Sequence, residues 1–333
     1  MIRSVLFIGD LSGKWTRSFA RLDAIMENIP DSEITASNWN NTNAFFQFLR
    51  KLYLKLNLSI MAPFFLIWLC GLRKPDLLWI DNFPLFSKQT LLLFKKYSPH
   101  TKIFFISEDN FLLSHNHANL HKPCLQYYHQ VFTTKRYVLE AMTKANNVTK
   151  IYDSYDHRLL TDKKTKFSTF DHDICFIGTY EQKRFDYLEF ISMRDIKVSI
   201  FGNGWPVHKA NSNLKFFKPV YGPQYREIVH KSKINLLFLR HLNFDEVTSR
   251  SFEVPSFGAF FLAEASTAHK NIYDHQSIMF STKEDLLKKI IFWLGQGKDK
   301  RCEQAQKISK NILASNNSIS FQVQMILEKA GDF

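Results

Sequence analysis

The stretch from Thr248 to Phe260 carries the side chains best suited to bind an anionic ligand. Thr248 and Ser249 offer hydroxyl groups and are predicted to cap a helix, in whose first turn Arg250 and Glu253 lie. A diphosphate would bind the free N–H groups at the helix start and the Arg250 guanidinium, while an ionised Glu253 can accept two hydrogen bonds from a ribose diol. An ordinary capped helix with an Arg–Glu pair three residues apart also explains these residues, and both interpretations stay open.

Two glycine motifs follow predicted strands in the same half of the chain. Gly178 and Thr179 close one strand, with Arg184 a few residues further on, and the Gly202–Gly204 turn closes the next. Glycine at a strand end allows the backbone to approach a ligand closely, because no Cβ intervenes. A simple turn explains each glycine as well.

Acidic residues end a predicted strand of the first half at Glu108 and Asp109. A carboxylate within reach of a reacting hydroxyl can act as a general base, and Asp10 and His115 are alternatives for the same role. Gly13 lies in the loop that follows Asp10. The competing interpretation of Glu108 and Asp109 is a cap for the next helix.

The histidines and cysteines do not match a recognisable metal site. His117 and His121 are four residues apart, but no third ligand is near them in sequence. The four cysteines have no CxxC spacing, which argues against a zinc site and against a disulfide framework. We therefore expect no metal, no cofactor and a reducing, cytoplasmic location.

Parallel strands are the elements that would bring these side chains together. Short apolar runs alternate with segments of helical length in both halves of the chain, and this alternation predicts doubly wound α/β sheets. Ligands of such sheets bind at the carboxyl ends of the strands. The predicted parts are a first domain at 1–155, a linker at 156–172, a second domain at 173–305, and a C-terminal helix within 306–333 that packs back toward the first domain.

The net charge of +13 favours polyanionic partners, such as anionic lipid or a phosphorylated substrate. The segment from Leu52 to Leu72 is very apolar, but Lys55 and Pro63 interrupt it, so it is predicted to be a buried or membrane-facing helix and not a membrane span. The N-terminus enters a predicted strand at once, and no signal peptide is expected.

The second half resembles the donor-binding half of CgeB-like glycosyltransferases, which belong to the GT-B group. Four segments carry the resemblance: FIGTYEQKR (176–184), IFGNGW (200–205), YREIVHKSKINLLF (225–238) and TSRSFEVPSFGAFFLAE (248–264). Three segments of the first half resemble the acceptor domain of the group more loosely: FIGDLSGKWTRS (7–18), FFISEDN (104–110) and VFTTK (131–135). The resemblance implies a GT-B fold, that is, two Rossmann-like domains that face each other across a cleft.

The resemblance also implies roles for individual residues. Glu253 would hold the nucleotide ribose, and Arg250, with Thr248 and Ser249, would face the diphosphate or the sugar. The remaining donor-side residues would flank the donor or add positive charge, and they are Gly178, Thr179, Arg184, Gly204 and Arg240. The acceptor side would contain Asp10, Gly13 and His115, with Asp109 or Glu108 as the catalytic base.

The activity implied is metal-independent transfer of a sugar from a nucleotide diphosphate to a glycan or lipid-linked acceptor, in the synthesis of bacterial surface polysaccharide or lipopolysaccharide. The basic first half adds the expectation of peripheral contact with an anionic membrane, on its inner face. A nicotinamide-dependent oxidoreductase is disfavoured, because Gly9–Gly13 lacks the GxGxxG spacing. A non-catalytic binder of polyanions or nucleotides remains the alternative, but nucleic acid is not expected, because most phenylalanines lie in apolar runs.

Overall fold

The computed structural model describes residues 2–38, 74–82, 86–116, 118–142, 147–160, 169–273 and 276–331. The chain divides into two compact units, of which unit 1 comprises Met1–Tyr152 with Ile319–Phe333 and unit 2 comprises Asp153–Ser318. The predicted apolar helix from Leu52 to Leu72, His117 and residues 161–168 of the predicted linker lie outside the described residues.

Unit 1 contains a parallel sheet with the strand order β2-β1-β3-β4-β5-β6. The order reverses between β1 and β3, which creates a crevice at the carboxyl ends of these strands. The strands are β1 (Ser4–Gly9), β2 (Glu33–Asn38), β3 (Leu77–Asp81), β4 (Lys102–Ser107), β5 (Gln130–Thr133) and β6 (Val148–Lys150).

Unit 2 contains a second parallel sheet, with the order β12-β11-β10-β7-β8-β9. Here the order reverses between β7 and β10, so the carboxyl ends of these two strands are where a ligand is expected. The strands are β7 (His172–Ile177), β8 (Val198–Phe201), β9 (Leu214–Phe217), β10 (Ser232–Leu237), β11 (Phe261–Glu264) and β12 (Met279–Phe280).

Helices connect these strands, as parallel pairing requires. In chain order they are α1 (Arg17–Asn28), α2 (Lys88–Tyr97), α3 (Ala118–His121), α4 (Arg136–Ala141), α5 (Gln182–Ser192), α6 (Gly222–His230), α7 (Arg250–Ser256), α8 (Thr267–Tyr273), α9 (Lys283–Gly295), α10 (Gly297–Ala314) and α11 (Ile319–Gly331). Short 3-10 turns lie at Ser114–Asn116, Lys122–Tyr127, His157–Leu159, Val207–Lys209, His241–Asn243 and Gln276–Ile278.

Burial explains why the sequence forms these elements. All five residues of β3 are buried, as are the last four of β7, because helices cover both faces of such sheets. Hydroxyl side chains begin several helices: Thr16 accepts a hydrogen bond from the Phe19 N–H at the start of α1, and Ser87 accepts one from the Thr90 N–H at the start of α2.

The C-terminal helix α11 belongs to unit 1. Its Ile319, Val323 and Ile326 are fully buried in the core that also contains Ala20 and Ile25 of α1. The predicted start of the C-terminal segment at 306 lies inside α10, and the chain enters unit 1 at Ile319.

Candidate functional site

Three arginines, the arginine group, lie at the carboxyl edge of the unit 2 sheet: Arg184, Arg240 and Arg250. The Arg184 guanidinium is buried and donates hydrogen bonds to the backbone carbonyls of Thr179 (3.1 Å) and Leu239 (3.0 Å). Burial lowers the pKa of Arg184, and the positive charges of Arg250 and Arg240 lower it further. The predicted donor-side arginines are therefore close enough to repel one another.

Acidic residues also lie near this group: the charges of Glu181 and Asp245 raise the pKa of Arg184 and so oppose the effect of the other two arginines. Glu181 Oε1 lies 3.6 Å from both Arg184 Nη2 and Arg240 Nε. The Arg250 guanidinium has no hydrogen-bond or ion-pair partner among the described residues, and its Nε is buried. A buried, unpaired guanidinium nitrogen is costly unless a ligand satisfies it.

Arg250 and Glu253 both lie close to Tyr225. The Arg250 guanidinium carbon lies 5.9 Å from the centre of the Tyr225 ring. Burial raises the pKa of Tyr225 well above its ordinary value, and the negative charge of the nearby Glu253 adds to that effect. Glu253 itself is partly exposed.

The predicted Ser/Thr cap of α7 is wrong in detail. Ser249 occupies the N-cap position, but its backbone is helical (φ −53°, ψ −37°) and its side chain makes no capping bond. A capping side chain needs an extended backbone at that position to reach the following N–H groups. Here Ser251 Oγ accepts a hydrogen bond from the Thr248 N–H instead, at 3.0 Å.

A buried network holds this turn in place. His269 is fully buried, with Nδ1 2.7 Å from the Glu264 carbonyl and Nε2 2.8 Å from Ser251 Oγ. Burial lowers the pKa of His269 to about 4, so the ring is neutral: Nδ1–H donates to the carbonyl, and Nε2 accepts from the hydroxyl. Tyr273 adds a 2.7 Å hydrogen bond to the Ser251 carbonyl. The sequence analysis missed this network, because α8 follows in the chain after an intervening strand.

Glu264, at the end of β11, is a second feature that sequence reasoning did not assign. Its Oε1 lies 2.8 Å from both Lys183 Nζ and His241 Nε2, and its Oε2 accepts the Leu239 N–H at 3.0 Å. Burial acts to raise the pKa of Glu264, but hydrogen bonds from Lys183 and from the Leu239 backbone outweigh it, and the pKa is lowered. The carboxylate thus anchors the loop that carries Arg240.

The glycine motifs pack against each other. A Cβ on Gly202 would lie 1.9 Å from the Gly178 carbonyl oxygen, which also accepts a 2.9 Å hydrogen bond from Trp205 Nε1. A Cβ on Gly178 would lie 2.7 Å from the Phe176 ring. Gly204 has a φ of +80°, in the region that favours glycine. The close approach that glycine allows at Gly178 and Gly202 is thus between two loops of the protein itself.

This packing predicts that Gly202→Ala lowers the free energy of unfolding by about 1–3 kcal/mol, because the new methyl group overlaps a backbone oxygen that cannot move cheaply. Gly295→Ala, at the end of α9 with open space around it, is the matched control and should change stability by less than about 1 kcal/mol. Urea unfolding of both variants measures the difference. Equal stabilities would show that the two loops do not pack as described.

In unit 1, a cavity of about 450 Å³, the acidic cavity, lies at the carboxyl ends of β1, β3 and β4. Four of the predicted residues line it together: Asp10, Glu108, Asp109 and His115. Gly13 is not among the lining residues, and no atom lies within 4 Å of the position of an added Cβ. The other lining residues are largely polar and include Thr16, Arg17, Ser18, Asp81, Asn82, Ser107, Asn116 and His121.

Glu108 is held by two arginines of α1. Arg17 Nη2 lies 2.6 Å from Glu108 Oε1, and Arg21 forms an ion pair with the same oxygen. Burial by itself would raise the pKa of Glu108, but the charges of Arg17 and Arg21 outweigh it and lower the pKa to about 2. Such a carboxylate accepts a proton poorly near neutral pH, which disfavours Glu108 as a general base.

The other candidates in the acidic cavity differ in how they are held. Asp10 Oδ1 accepts hydrogen bonds from the Ser12 N–H (3.0 Å) and from Ser12 Oγ (2.6 Å), so this carboxylate shapes its own loop. Asp109 is partly exposed, and its backbone N–H donates to Ser107 Oγ at 3.2 Å. His115 is exposed and makes no side-chain hydrogen bond to another described residue. His115 is therefore the most exposed of these titratable groups, while Asp109 is partly exposed like Asp10 and Glu108.

Below the acidic cavity, Arg21 is the centre of a buried polar network. Only 1% of its side chain is exposed, and Nη1 lies 3.0 Å from Asp81 Oδ1. Arg21 Nε donates to Gln322 Oε1 of α11 at 3.0 Å, and Gln322 Nε2 donates to the Tyr152 carbonyl at 2.6 Å. The C-terminal helix therefore helps to fix the arginine that binds Glu108.

Across the described ranges, no set of three or more His, Cys, Asp and Glu side chains is arranged to hold a metal ion. In the same residues, no helix has the length and apolar character needed to cross a membrane.

Comparisons with known proteins agree with this architecture. Residues 184–326 match the family model described as glycosyl transferase-like. No relative is found among curated proteins. Three solved structures cover nearly the whole chain at 10–12% identity.

The first of these is UDP-GlcNAc 2-epimerase from Neisseria meningitidis bound to UDP-GlcNAc, at 12% identity and a TM-score of 0.58, covering 99% of this chain and 100% of that chain. The second is T4 phage BGT in complex with its UDP-glucose substrate, at 11% identity and a TM-score of 0.60, covering 100% of both chains. The third is OtsA in its apo form, at 10% identity and a TM-score of 0.65, covering 98% and 99%. These likenesses confirm the predicted α/β fold of GT-B type, and the family match supports the glycosyltransferase group in general.

Proposed function

We propose that this GT-B protein is a glycosyltransferase of the CgeB-like kind, which moves a sugar from a nucleotide diphosphate bound by unit 2 to an acceptor hydroxyl bound in the acidic cavity of unit 1. The family match over residues 184–326 supports sugar transfer, and it includes all three members of the arginine group. Two of the structural neighbours hold UDP-sugars, which supports a nucleotide sugar as the donor.

The observation that carries the proposal is the arginine group with its unpaired member, Arg250. The Nε atoms of Arg250 and Arg184 are buried and have no hydrogen-bond partner among the described residues, and the charges of Arg250 and Arg240 lower the pKa of Arg184. A diphosphate would satisfy the guanidinium through charge-assisted hydrogen bonds, each worth about 1.5–3 kcal/mol. The same positive charges would stabilise the diphosphate as it leaves the sugar, an electrostatic role that needs no metal ion.

Neighbouring residues complete the proposed donor site. Glu253 would accept hydrogen bonds from the ribose diol, since it is partly exposed and lies beside Tyr225, which Arg250 also contacts. The backbone around Gly178, Thr179 and Gly204 would lie against the donor, as the sequence resemblance implies. Thr248 and Ser249 would face the diphosphate or the sugar.

The acidic cavity supports an acceptor rich in hydroxyl groups. Its lining is largely polar, and its volume of about 450 Å³ is within the usual range of small-ligand sites. In an inverting transfer, Asp109 would take the proton of the attacking hydroxyl, with His115 beside it in the cavity. We propose a glycan or lipid-linked acceptor of bacterial surface polysaccharide or lipopolysaccharide synthesis, reached by peripheral contact with the inner face of the cytoplasmic membrane.

The test of the proposed function is thermal stabilisation by UDP, GDP, TDP, CDP and CMP, each with and without a divalent metal ion. Stabilisation by one nucleoside diphosphate, unchanged by the metal, supports the proposed donor site and identifies the nucleotide. The matching nucleotide sugar is then assayed for transfer to glycan acceptors. Stabilisation without transfer would indicate the non-catalytic nucleotide binder, and stabilisation only by metal would contradict metal independence.

Arg250→Met is expected to weaken binding of the stabilising nucleoside diphosphate by about 10- to 150-fold, because one or more charge-assisted hydrogen bonds are lost. The unfolding midpoint should stay close to that of the wild type, since the methionine fills similar space beside the Tyr225 ring. Arg194→Met is the matched control, because Arg194 is exposed beyond the other end of α5 and donates only to the Phe190 carbonyl. Calorimetric titration measures both affinities, and equal values would place the donor elsewhere.

A further inference from the structure

The outward face of α2 combines exposed leucines with lysines. Thr90, Leu91 and Phe94 are buried in unit 1, so the opposite side of this helix faces solvent. Leu92 and Leu93 are 42% and 47% exposed there. Lys88 and Lys96 lie on the same side, one turn before and one turn after Leu92. These four residues are called the α2 face below.

No acidic residue lies near this face in the sequence. Between Asp81 and Glu140 the only acids are Glu108 and Asp109, and both line the acidic cavity. The adjacent turn Lys122–Tyr127 adds a further lysine, and Lys88 Nζ lies 5.8 Å from the centre of the Tyr127 ring. Lys88, Lys96 and Lys122 form no ion pair with any described residue. Their charges are thus available to an external anionic partner.

We propose that the α2 face docks the protein on a bilayer of anionic phospholipid. Two leucines can enter the headgroup region while the lysines on either side meet lipid phosphates, and each surface lysine adds attraction near an anionic leaflet. A second copy of the chain fits the face poorly, because self-contact would bring lysines together without carboxylates to pair them. A nucleic acid would pair with the lysines but would leave the leucines exposed.

The area is small, so the contact is weak and reversible, which suits an enzyme that must move between acceptors. The choice of a bilayer as the partner rests on the proposed function, because a lipid-linked acceptor lies in a membrane. The α2 face lies outside the arginine group and shares no residue with the acidic cavity. Nucleotide binding and membrane binding can therefore be tested separately.

The test is cosedimentation of the full chain with vesicles of phosphatidylcholine alone or of equal parts phosphatidylcholine and phosphatidylglycerol. We expect binding to the anionic vesicles, weakened by added salt, and little binding to the neutral ones. Lys88→Gln with Lys96→Gln should reduce the partition coefficient by about 30-fold, and Leu92→Ser with Leu93→Ser by about tenfold or more. The control is Ile291→Ser with Phe292→Ser, since these residues are exposed to 59% and 54% on α9 and should not change binding.

The fold of each variant is checked by circular dichroism and by its thermal unfolding midpoint, and each variant is titrated separately with the stabilising nucleotide. The inference would be overturned if the wild type did not bind anionic vesicles, or if the α2-face variants bound them as well as the wild type does. A retained response to the nucleotide would leave the proposed function intact in either case. The inference would also be overturned if the wild type bound an oligonucleotide or sedimented as a dimer, did not bind vesicles, and lost that complex in the α2-face variants. The partner would then be a nucleic acid or a second copy of the chain. Vesicle binding through the α2 face with no nucleotide response would uphold the inference and contradict the proposed function.

Discussion

Asp109→Asn should lower kcat for sugar transfer by about two to four orders of magnitude, the usual contribution of a positioned general base. The amide keeps the shape of the side chain but does not take up the proton of the attacking hydroxyl. Because Asp109 is partly exposed, the free energy of unfolding should change little. Initial rates with the donor identified by thermal shift, at saturating acceptor, give kcat directly.

Comparison variants separate the candidates within the acidic cavity. Glu108→Gln should lower the free energy of unfolding, because Glu108 pairs with Arg17 and Arg21. Its effect on kcat should be smaller than that of Asp109→Asn. His115→Gln tests the other accessible group. If kcat falls most in Glu108→Gln or His115→Gln, with nucleotide affinity unchanged, the base has been assigned to the wrong residue. If none of the three changes kcat, none of these groups is the base, and Asp10→Asn tests the fourth candidate of the cavity.

Arg21→Leu should reduce the free energy of unfolding by about 3–5 kcal/mol, the usual cost of removing one partner of a buried ion pair. The substitution leaves Asp81 buried without its main counter-charge and removes one of the two arginines that hold Glu108. It also frees Gln322 from α1, and so loosens α11. Urea unfolding measures the loss.

Arg136→Leu is the matched control for this prediction. Its ion pair with Glu140 is also close, at 2.7 Å, but the two side chains are 57% and 60% exposed, so its removal should cost less than about 1 kcal/mol. A loss for Arg21→Leu as small as that of the control would show that the network is not as buried as described.

The pH dependence of the free energy of unfolding of Arg21→Leu tests the ion pair between Arg21 and Glu108. The pKa of Glu108 is lowered to about 2 from an ordinary 4.5, so the stabilisation by its ionised form is fully present above pH 4.5 and is lost as the pH falls toward 2. The stability difference between wild type and Arg21→Leu should accordingly be largest near neutral pH and narrow below 4.5. A constant difference would mean that Glu108 is not the group that Arg21 stabilises.

The sequence by itself determined the fold class and most of the strands. The apolar runs of the sequence coincide with β1, β3, β4, β5, β7, β8, β10, β11 and β12, because strands covered on both faces must be apolar and are therefore visible in hydropathy. The three that were not predicted, β2, β6 and β9, are edge strands. EITASN of β2 and VTK of β6 are partly exposed and polar, so hydropathy does not mark them. LKFF of β9 is apolar but only four residues long, too short to stand out as a strand.

Candidate site residues were visible from sequence where they directly follow a buried strand. Gly178, Glu108 and Asp10 all do so, and parallel pairing brings the carboxyl ends of neighbouring strands to one edge of a sheet. This local rule places Asp10, Glu108 and Asp109 in one cavity without knowledge of any side-chain contact, whereas His115 reaches the cavity from the turn Ser114–Asn116.

Only the tertiary structure decided what each of these groups can do, because charge and burial depend on partners that are distant in the chain. Arg17 reaches Glu108 across 91 positions, Arg21 meets Gln322 across 301, and these contacts distinguish Glu108 from the adjacent Asp109. Ser251 and His269, 18 positions apart, replace the predicted cap at Ser249. A pKa or a hydrogen bond is set by the atoms within a few ångströms, and the linear order of residues does not contain those distances.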